Sequence, residues 1–152
     1  MDRIVIATDG SPASAEALDV GLELAADEDA TALLVHVAPL LDVLPGGGFP
    51  ANPRLPHEIT EADRVPLEQA EQVAKEAGVQ ATTELLVGDA AREIAAYADS
   101  QDADMIVVGS RGHGAIANVL LGSVSRGVLR ESRRPVLIVR GRAGTDAETE
   151  EN

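Results

Sequence analysis

The chain has 152 residues, with 12 basic against 26 acidic side chains for a net charge of −14, and 45% of it is hydrophobic. That length suits one domain with a full core, and the surplus of carboxylates argues against a nucleic-acid partner, because the average surface repels phosphates. Phe49 and Tyr97 are the only aromatic residues, which leaves no stacking platform for single strands, and the absence of cysteine removes disulfides, thiolate zinc sites and a thiol nucleophile.

The first predicted element is a buried strand, Arg3 to Thr8, ending in the turn Asp9-Gly10-Ser11-Pro12. Ser11 suits a helix N-cap and Pro12 the first helical position, where a missing N–H costs nothing. The helix that follows sets Ala17, Leu18, Gly21, Leu22 and Ala25 on one face. Thr31 to Val37 reads as a second buried strand. The stretch 39–57, rich in proline and holding Gly46-Gly47-Gly48, is expected to be a flexible loop. A helix is predicted from Thr60 to Ala77, with Ala70, Val73, Ala74 and Ala77 inward, Pro66 at its start or at a bend, and Gly78 as its stop. Val79 to Val87 is a strand, Gly88-Asp89 a turn and cap, and Ala91, Ile94, Ala95 and Ala98 the inner face of a third helix. Met105 to Val108 is a fourth strand. A fourth helix is predicted from Gly122 to Ser132 with Val124, Val128 and Leu129 inward, then a fifth strand from Pro135 to Val139. Residues 141–152, with Asp146, Glu148, Glu150 and Glu151, are expected to form a disordered acidic tail.

Strands that are apolar throughout, separated by amphipathic helices, predict a doubly wound, Rossmann-like α/β fold with a five-stranded parallel sheet and helices on both faces. No apolar run approaches the ~20 residues that span a bilayer, and the apolar start is too short for a signal peptide, so a cytoplasmic protein without a membrane partner is expected. Eleven of the basic residues are arginine and Lys75 is the only lysine. An acidic, lysine-poor, alanine-rich composition resembles that of proteins from salt-loving cells, where a Debye length of about 3 Å mutes the charge excess. An acidic protein from a high-GC genome carries the same bias.

Ligands in open α/β sheets sit at the carboxyl ends of strands, where the strand order reverses. Two strand ends here carry suitable chemistry. After the first strand, Asp9 can accept hydrogen bonds from a ribose hydroxyl or an adenine amine, or it can cap the helix. After the fourth, Gly109-Ser-Arg111-Gly112-His113-Gly114 leads to Gly122-Ser123-Val124-Ser125, with glycines spaced Gly109-x2-Gly112-x9-Gly122-Ser123. Glycines let backbone N–H groups approach a phosphate, and a helix start adds hydroxyls and a positive dipole end. The P-loop pattern fails because no lysine lies in the segment, and a nucleophile elbow is absent. Gly112-x-Gly114-x-x-Ala117 fits a relaxed dinucleotide fingerprint, but it follows the fourth strand instead of the first. His36, His57 and His113 share no metal-binding spacing, so no protein-held metal is expected. His36 suits a satisfied core histidine in its strand.

The glycine-serine segment, with Ile4 to Ser11, Leu34 to Val37, Gly88-Asp89, Asp104 to Gly109 and Pro135 to Val139, resembles the ATP-binding branch of the universal stress protein (UspA-like) family across residues 1–140. That resemblance implies strand order 3-2-1-4-5 and a homodimer through antiparallel pairing of the fifth strands, 136–139. It further implies that Ala7 and Val37 lie beside an adenine and that Asp9 holds the ribose or base. Gly109, Gly112, Gly122, Ser123, Val124 and Ser125 would surround the phosphates, with Arg111 and His113 at variable positions of the same loop. ATP is the implied ligand, and Mg2+ would arrive on its phosphates. Between Gly109 and Leu129 there is no Asp or Glu to act as a base and no Lys to meet developing charge, so binding with little or no hydrolysis is expected. The expected role is a nucleotide-dependent stress-response or signalling module with an unidentified protein partner. A nucleotide-free dimeric interaction protein and a slow ATPase using Arg111 or Arg126 are the alternatives.

Overall fold

The computed structural model describes residues 1–39, 59–111 and 121–141. Residues 40–57 of the predicted loop, nearly all of the acidic tail, and Gly112 and His113 therefore lie outside the described residues.

The chain alternates strand and helix in the order β1 (Arg3–Ala7), α1 (Pro12–Glu28), β2 (Thr31–Ala38), α2 (Glu61–Glu76), β3 (Ala81–Val87), α3 (Ala90–Ser100), β4 (Met105–Gly109), α4 (Ser123–Glu131) and β5 (Val136–Val139). All strand pairings are parallel, and the sheet order is β3-β2-β1-β4-β5. Each inner strand is covered on both faces, which is why its buried central positions, Ile4 to Ile6, Ala32 to Val35 and Ile106 to Val108, are apolar without alternation. Ile4, Ile6, Ala32, Leu34 and Val107 pack with Ala17, Leu18, Leu22 and Ala25 of α1 and Leu67, Ala70 and Ala74 of α2. Val5, Leu33, Val35, Ile106 and Val108 face the other way, against Ala91, Ile94 and Ala98 of α3 and Val128 of α4. β5 pairs with β4, and all four of its residues are only half-buried.

Helix ends follow side-chain chemistry. Ser11 caps α1 by accepting from the Ser14 N–H, and Asp89 caps α3 by accepting from the Arg92 N–H. Gly78, at φ +71°, closes a Schellman motif behind α2, with its N–H on the Lys75 carbonyl and the Val79 N–H on that of Ala74. α1 and α3 stop the same way but with aspartates, Asp29 and Asp102, in the left-handed region. A short carboxylate tolerates that conformation where most side chains do not.

Three expectations need correcting. In α2, Ala70 and Ala74 are buried, but Ala77 is exposed, because the helix ends at Glu76 and the chain turns away there, and Leu67 is the further inward residue. α2 begins at Glu61 and runs on through Pro66, so the proline neither starts it nor divides it. Proline forfeits one helical hydrogen bond, and the carbonyl it would have met belongs to exposed Ala62, where water can serve instead. In α4, Val128 is fully buried, but Val124 and Leu129 are 39% and 47% exposed, and the inward face is Ser125, Gly127 and Val128. The reason is α3: a β-carbon built on Gly127 would lie 2.5 Å from the Ala91 Cβ, so the two helices meet through their smallest residues.

At the amino end of the sheet, the Asp104 carboxylate accepts the backbone N–H groups of Asp2, at 2.6 Å, and Arg3, at 3.0 Å. Those two bonds hold its pKa below the ordinary carboxylate value. A native pKa lowered in this way stabilises the fold above the unfolded-state value and stops doing so as pH falls through the native one. Asp104→Ala should therefore be less stable than wild type at neutral pH, with the gap closing as the solution is acidified below that depressed value. Urea melts across acid pH check this, and a gap that stays constant down to the lowest pH would refute it.

Candidate functional site

The strand order reverses between β1 and β4, so their carboxyl ends flank the crevice where an open α/β sheet takes its ligand. One wall is the turn from β1 into α1. There the Asp9 Oδ1 accepts from the Ser11 N–H at 2.8 Å, folding the turn on itself, and Gly10 sits at φ +82°. Ser14 stands beneath it: its Oγ donates to the Ser11 carbonyl at 2.9 Å, accepts from the Asp9 N–H at 3.3 Å and lies 3.4 Å from the Thr8 Oγ1. Thr8, Ser11 and Ser14 are all buried. Asp9 itself is half-buried at the crevice rim. The helix-cap alternative for Asp9 is already served by Ser11.

The second wall starts at Gly109, the last residue of β4. A β-carbon there would lie 2.8 Å from the Ala13 carbonyl oxygen and 3.3 Å from the Ser14 nitrogen, so glycine lets the end of β4 lie directly against the first turn of α1. Ser110 follows, buried, with its N–H on the Val139 carbonyl at 2.8 Å. Its own carbonyl accepts the Gly122 N–H at 2.6 Å and the Ser125 Oγ at 3.0 Å, which brings the start of α4 back to the end of β4. Arg111 is half-buried. Arg126 donates through Nε and Nη2 to the Leu121 carbonyl at 3.2 and 3.1 Å.

The third side is the end of β2. Val37 and Ala7 share the sheet face that carries α3 and α4, and both pack half-buried against that core cluster. On the opposite face, His36 donates from Nδ1 to the Thr8 carbonyl at 2.8 Å, since a carbonyl can only accept. It is a satisfied histidine that ties the end of β2 to the end of β1.

Of the residues singled out from sequence, the fold thus gathers Ala7, Asp9, Val37, Gly109, Arg111 and Gly122 to Ser125 at one end of the sheet. Ser123 and Val124 are exposed in the first turn of α4, which Gly122 caps without a side-chain hydrogen bond. Ser125 differs from its expected place among the phosphate-facing groups. It is 1% exposed, and its hydroxyl is directed at the Ser110 and Gly122 carbonyls, both at 3.0 Å. Ser14 and Ser110 escaped the sequence reading. The available signal was a small polar residue at the third helical position behind Asp9-Gly10-Ser11, and a serine directly after the Gly109 that ends β4. Among the described residues, no group of three His, Asp or Glu side chains could hold a metal ion, and no helix is long and apolar enough to cross a membrane.

Known proteins resemble this chain in sequence and in fold. The chain is 36% identical over 141 residues to a universal stress protein of Methanocaldococcus jannaschii, covering 91% of this chain and 81% of that one. It is likewise 36% identical to the universal stress protein YxiE of Bacillus subtilis, covering 91% and 99%. Among solved structures, a universal stress protein crystallised in complex with cAMP superposes with a TM-score of 0.69 at 31% identity, covering 93% of this chain and 98% of that one. The model of the universal stress protein family matches residues 1–140, the whole of the sheet and its four helices. With the sheet order, the switch-point crevice and the glycine-serine segment in place, the chain belongs to the universal stress protein family.

Proposed function

We propose that this protein binds an adenine nucleotide in the switch-point crevice, with ATP as its ligand, and acts as a nucleotide-dependent stress-response module that turns ATP over slowly or not at all. The observation that carries this reading is the meeting of Asp9, Gly109 and the uncapped first turn of α4 at one end of the sheet. That a similar universal stress protein was solved in complex with cAMP supports an adenine nucleotide as the class of ligand. Ala7 and Val37 offer an apolar surface for the base, and Asp9 can accept from the ribose. The start of α4 supplies backbone N–H groups and the Ser123 hydroxyl for the phosphates. Gly112, His113 and Arg111 complete the loop in this reading, and Mg2+ comes with the triphosphate.

Slow turnover follows from the residues at hand. No carboxylate occurs from Gly109 to Leu129, and both nitrogens that Arg126 commits to Leu121 hold the loop exit. The half-buried β5 edge suits pairing with a second copy, as an unpaired apolar edge strand otherwise invites aggregation. The same proposal includes a cytoplasmic location and the saline origin suggested by composition. A nucleotide-free interaction module is the second reading, favoured by the exposed Val124 and Leu129 on α4.

Calorimetric titration with Mg-ATP, AMP and cAMP, in low salt and in molar KCl, separates the two. Gly122→Val should weaken ATP binding about a hundredfold, close to 2.7 kcal/mol, because a branched side chain bars backbone approach to phosphate. Wild-type protein that binds none of the three would leave the interaction module as the account.

A further inference from the structure

We infer that Ser125 is a positioning residue for the phosphate end of the crevice: its buried hydroxyl and the Gly122 N–H clamp the Ser110 carbonyl and so set where the first turn of α4 stands. The inference rests on the nucleotide reading above and deepens it.

α1 and α3 are fastened at their starts by cap side chains, Ser11 and Asp89, which occupy N–H groups of the first turn. α4 begins at Gly122, which has no side chain to offer. Its fastening comes from inside. The Ser125 Oγ lies 3.0 Å from both the Ser110 and the Gly122 carbonyl oxygens, and one proton serves the pair. Ser110 is itself held by its N–H on the Val139 carbonyl. The clamp therefore runs from β5 through Ser110 to the third helical residue of α4. All of its side-chain atoms are buried, since Ser110 and Ser125 are 3% and 1% exposed. An interior clamp orients the helix start without placing a side chain over the N–H groups of Ser123 and Val124. A side chain at the N-cap position would instead occupy the N–H of the second or third helical residue, Val124 or Ser125, as Ser11 and Asp89 occupy the third in α1 and α3.

The clamp lies under the phosphate side only. The nucleoside side has its own buried serine, Ser14, beneath the Asp9 turn. Loss of the Ser125 hydroxyl should therefore fall on the phosphate-dependent part of affinity and spare the nucleoside part. A merely structural defect would weaken both alike.

The test compares dissociation constants for adenosine and ATP in wild type, Ser125→Ala and Ser125→Cys. Cysteine keeps the volume but donates poorly, so it stands in where alanine fails to fold. The expected result is ATP binding weakened roughly tenfold in either variant, the value of one well-placed hydrogen bond, with adenosine affinity held within about twofold. The Gly122 amide should also exchange faster in the nucleotide-free variants than in wild type. An unchanged adenosine-to-ATP ratio in a wild type that binds ATP overturns the inference and leaves the nucleotide reading intact. Equal weakening of both ligands overturns it as well. Wild-type protein that binds neither ligand removes the nucleotide reading, and the inference with it.

Discussion

Gly109→Val is expected to destabilise the protein by about 3 kcal/mol even with no nucleotide present, the upper range for forcing atoms into a filled site. The obstruction is backbone. The new β-carbon would meet the Ala13 carbonyl oxygen at 2.8 Å and its carbon at 3.0 Å, in the first turn of α1. β4 cannot retreat, because it is paired with β1 on one side and β5 on the other. α1 must then lift at its start, taking Ser14 and the Asp9 turn with it. Urea melts of the ligand-free protein give the stability, and calorimetry the binding. This separates Gly109 from Gly122: the first glycine of the motif is required by the packing of α1, whatever it does for a phosphate. Unchanged ligand-free stability in Gly109→Val would remove that distinction.

Gly127→Ala is expected to lose about 2 kcal/mol net, although alanine in a helix interior is intrinsically better than glycine by roughly 1 kcal/mol. An alanine methyl there would sit 2.5 Å from the Ala91 Cβ, and neither methyl has a rotamer to escape into. α3 and α4 must separate, opening the core around Val128, which is fully buried between them and the sheet. Pairing it with Ala91→Gly, which clears the space from the other side, should recover more than half of the loss. Double-mutant stabilities measure the coupling. A Gly127→Ala protein as stable as wild type would show that the helices do not meet at this point.

How much was legible before the fold can be judged element by element. Among the described residues, all nine strands and helices stand where periodicity set them, within two residues at most ends. The inner faces of α1 and α3 also match, because a wide apolar stripe opposite a polar one leaves a single way to bury it. α4 was misread for the converse reason. Periodicity favours the largest apolar residues, but a close neighbouring helix selects the smallest, and that neighbour is not a local feature. The aspartate stops at Asp29 and Asp102 escaped similarly, since glycine is the usual marker of a left-handed residue and neither helix end carries one.

Sequence alone determined the chemistry on offer: an acidic, cysteine-free α/β chain, five buried strands, and a spaced glycine-serine segment after the fourth. Those properties are local, carried by composition, period and capping. Tertiary structure alone decided that Gly109 packs against α1 and that the Ser125 hydroxyl fastens the start of α4 to Ser110. Gly109 meets α1 across nearly a hundred residues of chain, and Ser125 meets a carbonyl at the end of another element. Spacing along a sequence marks such residues but cannot say what they touch, because the partner is chosen by how strands and helices stack in space.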